Sequence, residues 1–159
     1  MVQKVLIPFF LCLVAALGTT AHATCFDLAA QRYGVPTVLL QAIAQQESGG
    51  RAMAINVNRN GSRDIGLMQI NSGWLNTLSR HGIAEQDLFD PCVSALVGAW
   101  ILANNFARHG YTTQGLGAYN AASPDKRERY ARQVLQRVER MTQAQSQSLN
   151  LAPPVQNLR

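Results

Sequence analysis

The sequence predicts a mainly α-helical single domain that carries one small β-hairpin. Apolar residues recur at i, i+3, i+4 and i+7 in several separate segments, the spacing that lines one face of a helix. One Asn60-Gly61 pair, a strong two-residue hairpin signal, interrupts that pattern between the short runs Ile55-Asn56-Val57 and Asp64-Ile65. The chain of 159 residues, once a leader is set aside, has room for one hydrophobic core and no second domain.

Residues 1–23 read as a signal peptide. Lys4 supplies the positive start, Val5 to Leu17 is an almost unbroken apolar run, and Ala21-His22-Ala23 has the small-x-small form that signal peptidase accepts. The run is shorter than the roughly 20 residues that a bilayer span needs, which argues against an uncleaved anchor. Cleavage after Ala23 removes 23 of 159 residues and leaves 136, and predicts a periplasmic protein with no stable membrane span. Lys4 leaves with the leader, so 14 basic residues become 13 against 9 acidic ones, a net charge of +4. These basic residues are spread along the chain, as on a generic soluble surface, and nucleic acid is not an expected partner. Cys12 also leaves, and the remaining Cys25 and Cys92 suggest one disulfide in an oxidising compartment, with two buried thiols as the alternative.

Phe26 to Tyr33 form a short amphipathic helix that Gly34 can end. Pro36 opens the next helix where a missing N–H costs nothing, and that helix runs to Gln46 or Glu47. Its stripe of Leu40, Ile43, Ala44 and Glu47 is apolar until Glu47, after which Ser48-Gly49-Gly50 breaks the helix. A carboxyl group there would be partly desolvated yet open to a cleft. Beyond the hairpin, Trp74, Leu75 and Leu78 mark a short helix ended by Gly82. Asp90-Pro91 caps a longer one, in which Val93, Leu96, Val97, Trp100 and Ile101 form the stripe of a central core helix closed by Gly110. A short helix is expected over Gln114 to Tyr119. Ser123-Pro124 starts the last helix, with Tyr130, Val134, Leu135, Val138 and Met141 facing the core and Arg127, Arg132, Arg137 and Arg140 fanning outward. The domain is thus expected over 24–142, and the polar stretch 143–159, with Pro153-Pro154, reads as a disordered tail.

The residue inventory excludes several chemistries. His81 and His109 have no partners at metal-ligand spacing, so no metal is expected. There is no Gly-x-Ser-x-Gly elbow and no phosphate-cradling glycine loop, and no cofactor is implied. What remains is an acid in a cleft. Cleaving a glycoside needs a carboxyl group protonated near neutral pH, and burial against apolar groups supplies one by raising its pKa. Glu47 has that placement, although a lone glutamate near a helix end is more often a surface or structural group.

Glu47-Ser48, Gly66-Leu67-Met68-Gln69-Ile70-Asn71, Ala118-Tyr119-Asn120 and Tyr130-Ala131 occur in the order and spacing of the soluble lytic transglycosylases, a family related to goose-type lysozyme. The chain resembles that family over nearly the whole mature domain. It looks closest to the small single-domain branch found with conjugation, type III and type IV secretion and type IV pilus systems, where Cys25 and Asp90-Pro91-Cys92 match the family's paired cysteines. The resemblance implies a lysozyme-like α+β fold and cleavage of peptidoglycan glycan strands between N-acetylmuramic acid and N-acetylglucosamine. It implies that Glu47 protonates the glycosidic oxygen and then acts as base on the muramoyl 6-hydroxyl, giving a 1,6-anhydro product. It also implies Ser48, Met68, Gln69, Tyr119, Asn120 and Tyr130 as substrate-binding residues, and components of a secretion, conjugation or pilus apparatus as partners.

Each of these residues also has a plainer use. Ser48 can simply end its helix, Asn120 can anchor its own loop, and Tyr130 can pack on its apolar stripe. Leu67 and Ile70 read as core, as do Trp74 and Trp100 unless one is exposed for sugar to stack on. Asp64, the nearest second carboxylate in sequence, is expected to order the hairpin. Thr113 stands where the family often has tryptophan, and Ala122 where it usually has glycine, so a ring is missing and a loop is constrained. A hydrolytic muramidase on the same fold and a non-catalytic wall-binding assembly protein are the alternative readings.

Overall fold

The computed structural model describes residues 17–151. Most of the expected signal peptide and the end of the expected tail lie outside the described residues. Helix α1, Leu17–Tyr33, contains the expected cleavage point and stops at Gly34, whose φ of 66° only glycine adopts freely. Helix α2, Thr37–Glu47, follows Pro36 directly. Asp90 Oδ1 accepts from the amides of Cys92 (2.8 Å) and Val93 (3.0 Å) and so caps the long helix α4, Pro91–His109. The short α3, Leu75–Ser79, and α5, Thr113–Gly117, fill the gaps, and α6, Pro124–Leu151, closes the domain.

Helix α4 is the axis of the fold, with α1 and α5 packed on it, while α6 lies across α2 and α5. Leu40 and Ile43 from α2, Leu102 from α4 and Val134 from α6 are fully buried where these helices meet. The expected link between Cys25 and Cys92 is present, joining α1 to the first turn of α4 with their Cα atoms 4.7 Å apart. The architecture is mostly helical, as expected, with a small antiparallel sheet beside the helices.

Four details differ from the sequence reading. The hairpin of β1, Ile55–Val57, and β2, Arg63–Ile65, gains a third strand, β3, Ile70–Asn71, with Ile65 opposite both Ile55 and Ile70. The reversal between β2 and β3 passes through Gly66 at φ 75°, where any Cβ would collide with the Leu88 carbonyl. The last helix continues to Leu151 instead of giving way to irregular chain at 143. Its Gln, Ala, Ser and Leu residues include no glycine or proline until Pro153, so low hydropathy there accompanies good helix propensity. On the same helix Leu135 is 40% exposed rather than core. Arg127 and Arg137 do not fan freely outward, since each donates a hydrogen bond, to the Ala121 carbonyl (2.9 Å) and to Gln46 Oε1 (2.7 Å).

The disulfide closes a separation of 67 residues. On the chain-entropy model a loop of that size is worth about 4 kcal/mol through the unfolded state. Replacing both cysteines, Cys25→Ser with Cys92→Ser, should lower stability by that order in urea unfolding, and an unchanged midpoint would show that the bond does not restrain the unfolded chain.

Candidate active site

Glu47 is the last residue of α2, and the residue after it fixes where α2 stops. Ser48 is buried at 3% exposure. Its hydroxyl lies 2.7 Å from the Leu67 carbonyl and 3.1 Å from that of Ala44, and accepts from the Arg51 amide at 3.1 Å. A hydroxyl so occupied ends the helix and joins it to the turn after β2. Of the two uses expected for Ser48, substrate contact and helix termination, these bonds are those of the second.

Met68, also expected to bind substrate, has a fully buried side chain. Its backbone takes part instead: the amide donates to Ser94 Oγ (3.1 Å) and the carbonyl accepts from the Tyr119 hydroxyl (3.0 Å). Gly98 on α4 makes room for this arrangement, since a Cβ there would lie 2.7 Å from Met68 Cε and 3.0 Å from the Tyr119 oxygen. Gln69 follows with φ 48°, a left-handed backbone that a side chain disfavours. Its amide nitrogen offsets that strain by donating to the carbonyls of Ala54 (3.2 Å) and Gly66 (2.9 Å).

Two hollows meet at Glu47 and Asn120. The first, of about 390 Å³, is bordered by Asp64, Gln69, Trp74 and Tyr119. The second, of about 430 Å³, is bordered by Lys126, Arg129 and Tyr130. Of the residues named from sequence, Glu47, Gln69, Tyr119, Asn120 and Tyr130 are thus brought together, and Ser48 and Met68 stand behind them. Asp64 and Trp74, expected to order the hairpin and to pack in the core, also border the first hollow. Asp64 does order the sheet, accepting from Asn71 (2.7 Å) and Asn58 (3.0 Å), but it also faces the first hollow. Trp74 packs edge-on against Trp100 at 5.3 Å and still reaches that hollow. Among the described residues no three histidine, cysteine or carboxylate side chains gather as metal ligands.

The Glu47 carboxyl is held above the ordinary carboxylate pKa, chiefly because burial penalises its charged form. Tyr130 opposes this by donating a 2.5 Å hydrogen bond to Oε1, and the negative charge of Asp64 adds to the upward shift. Burial and the nearby Glu47 charge push both the Tyr119 and Tyr130 phenols well up, so they remain neutral donors at any working pH. The arrangement is that of a carboxyl group able to carry a proton where an ordinary glutamate could not.

The profile of the transglycosylase SLT domain matches residues 24–140. The chain belongs to that family. It is 43% identical over 132 residues to invasion protein IagB of Salmonella typhimurium, covering 79% of this chain and 82% of that protein. Protein IpgF of Shigella flexneri is 37% identical over 143 residues, covering 87% of this chain and 92% of IpgF. In three dimensions the chain resembles an inactive mutant of the lytic transglycosylase Slt from Pseudomonas aeruginosa, with a TM-score of 0.64 at 24% identity. That match covers 85% of this chain and only 25% of the larger enzyme, and it speaks to the fold. As an SLT-domain protein the chain is a peptidoglycan lytic transglycosylase. Of its two departures from the usual family residues, Ala122 borders the second hollow without a positive φ, so its side chain brings no left-handed strain. Thr113 opens α5 just after Tyr111, which stacks on Phe106 at 4.2 Å.

Tyr130 is 5% exposed and belongs to the core, so Tyr130→Phe should keep the fold while deleting the hydroxyl that lowers the Glu47 pKa. In a carbon-13 NMR titration, the Glu47 carboxyl of the variant should titrate at higher pH than in the wild type. An unchanged or lower midpoint would mean that the hydrogen bond does not stabilise the carboxylate.

Proposed function

We propose that Glu47 carries out both proton transfers of a lytic transglycosylase reaction, cleaving between N-acetylmuramic acid and N-acetylglucosamine to leave a 1,6-anhydromuramoyl end. The observation that supports this most is the raised pKa of a carboxyl group where two hollows join. Its proton goes to the glycosidic oxygen as the bond from that oxygen to the anomeric carbon breaks, releasing the N-acetylglucosamine 4-hydroxyl. The substrate's acetamido oxygen stabilises the cationic carbon. The Glu47 carboxylate then removes the proton of the muramoyl 6-hydroxyl, whose oxygen bonds to that carbon, and no water is consumed. Gln69, Tyr119 and Asn120 offer polar contacts to the sugars along the first hollow, and the Trp74 ring edge offers an apolar one. Tyr130 positions the acid.

Hydrolysis is the second reading, and Asp64 gives it a specific footing. A muramidase uses a second carboxylate, and Asp64 borders the same hollow as Glu47. The two reactions leave different ends, anhydro in one case and reducing in the other. The leader-like residues 1–23 support export to the periplasm, and the likeness to an invasion protein supports local opening of the wall for an apparatus of the secretion, conjugation or pilus kind.

Glu47→Gln should reduce release of anhydromuropeptides by about 10⁴-fold, the upper end of what one acid–base group supplies. Because the folded-state pKa of Glu47 is raised, its favourable contribution is complete below the ordinary carboxylate pKa and is lost as pH rises through the raised value. The Gln variant should therefore melt higher than the wild type at neutral pH, with the difference closing in acid. Mass spectrometry of the products and paired thermal melts check both. Near wild-type release from a folded variant would move the acid elsewhere, and reducing ends from the wild type would favour hydrolysis.

A further inference from the structure

Strand β1 is an edge strand of the sheet, and its outer side carries no further strand among the described residues. The Asn58 amide donates to the Ser62 carbonyl (2.8 Å) and the Ala54 carbonyl accepts from the Gly66 amide (2.8 Å), with Asn56 opposite Asp64 between them. Alternate residues of β1 therefore turn their backbone groups to β2, and those of Ile55 and Val57 point outward to the edge. The side chains there are apolar and exposed: Met53, just before β1, is 74% exposed, Ile55 53% and Val57 68%. Of six large apolar side chains so exposed among the described residues, three thus fall between positions 53 and 57. Ile55 and Val57 stand on the sheet face opposite the groove, because Asn58, which bonds Asp64 and borders the first hollow, has the other parity. Arg51 and Arg59 are exposed at the two ends of this stretch, and among the described residues neither is in an ion pair. Arg51, Met53 and Ile55 border an open hollow of about 490 Å³.

An exposed strand edge is a template for another strand, and the chemistry of this edge selects which one. A second copy does not fit. Two-fold antiparallel pairing centred on Ile55 would set the Arg51 end of one copy against the Arg59 end of the other, cation to cation. A flat bilayer surface does not fit either: Arg63 stands opposite Val57 on the same face and is held by Glu85 at 2.6 Å, so a surface pressed on the apolar side chains would also cover that carboxylate. A strand laid along the edge meets only the apolar side chains and the two arginines. We propose that the β1 edge docks an extended segment of a partner protein, apolar at alternate positions and acidic at both ends. The segment's backbone pairs with the outward groups of Ile55 and Val57, its apolar side chains lie beside theirs, and its acids meet Arg51 and Arg59. The docking is separate from the reaction at Glu47, because the groove lies on the other face of the sheet.

The test uses the peptide Glu-Thr-Val-Thr-Val-Thr-Val-Thr-Glu with blocked termini, whose Val and Glu side chains share one face in either direction of pairing, and the same peptide with Gln at both ends. In an NMR titration, the Glu-ended peptide should shift the amides of Ile55 and Val57 and slow their exchange with solvent, while those of Asn56 and Asn58, already turned to β2, stay protected throughout. At low salt it should bind about four- to twentyfold more tightly than the Gln-ended peptide, at about two- to fivefold for each exposed charge pair. Arg59→Gln should cut that preference to about two- to fivefold, the worth of one pair. Val57→Pro deletes an outward amide at an edge that tolerates proline and should weaken binding about two- to tenfold. Ile55→Thr with Val57→Thr keeps strand propensity and the backbone, removes the apolar contact, and should weaken binding as well. Both variants should release anhydromuropeptides at the wild-type rate. No response at Ile55 and Val57 to either peptide would overturn the docking edge, and so would variants that bind as the wild type does. Equal binding of the two peptides would overturn the part given to the arginines. Dimerisation in sedimentation, or binding to phosphatidylglycerol vesicles, that the double threonine variant abolishes would give the edge to a second copy or to a bilayer and overturn the proposal likewise.

Discussion

Ser48 joins two parts of the chain that also share the hydrophobic core, the end of α2 and the turn after β2. By donating to the Leu67 carbonyl, it binds the end of α2 to the turn that leaves β2. The acid comes immediately before this join, and the Met68 carbonyl, which receives the Tyr119 hydroxyl, comes immediately after it. The position of Glu47 relative to Tyr119 is therefore set by a few backbone groups and one buried hydroxyl, all satisfied. A buried polar group that loses its partner costs about 1–3 kcal/mol, so the arrangement resists relaxing into one in which the acid swings into water.

Around that join, three groups act on one carboxyl in opposed directions. Burial and Asp64 favour its protonated form, while the Tyr130 hydroxyl favours the ionised one. A group that must both give and take a proton is served poorly by a very high or a very low pKa, because rate depends on occupancy of both forms near the working pH. Desolvation alone would drive Glu47 to one extreme. Tyr130 is placed to restrain it, from a helix that begins more than seventy residues later in the chain than the acid.

Helical stripes were legible because packing onto one core demands a 3.6-residue period, and the spans of α2 and α4 follow from their prolines, caps and glycines. Glu47 was legible because it continues an apolar stripe and then the helix breaks. The helix-ending use of Ser48 was one of two open readings, and the burial of Met68 was not legible, since only the fold decides which atoms of a motif face the groove. Ser48 turns inward because unsatisfied carbonyls at the helix end attract its hydroxyl, and Met68 because Gly98 leaves a space for it. Asp64 was half legible: its bonds to Asn58 and Asn71 are local, but its proximity to Glu47 is a product of the sheet folding over the end of α2. The continuation of α6 was hidden by polarity, which marks solvent exposure and does not by itself mark loss of structure.

That continuation has a geometric result. Helix α6 has 28 residues, and at 1.5 Å per residue it is a rod of about 40 Å. Its first turns border the groove, and Met141 is the last of its residues packed against the core. The ten residues 142–151 thus carry the chain about 15 Å beyond the body of the enzyme. That stretch borders neither hollow, so the end of α6 that leaves the core takes no part in shaping the groove its first turns line.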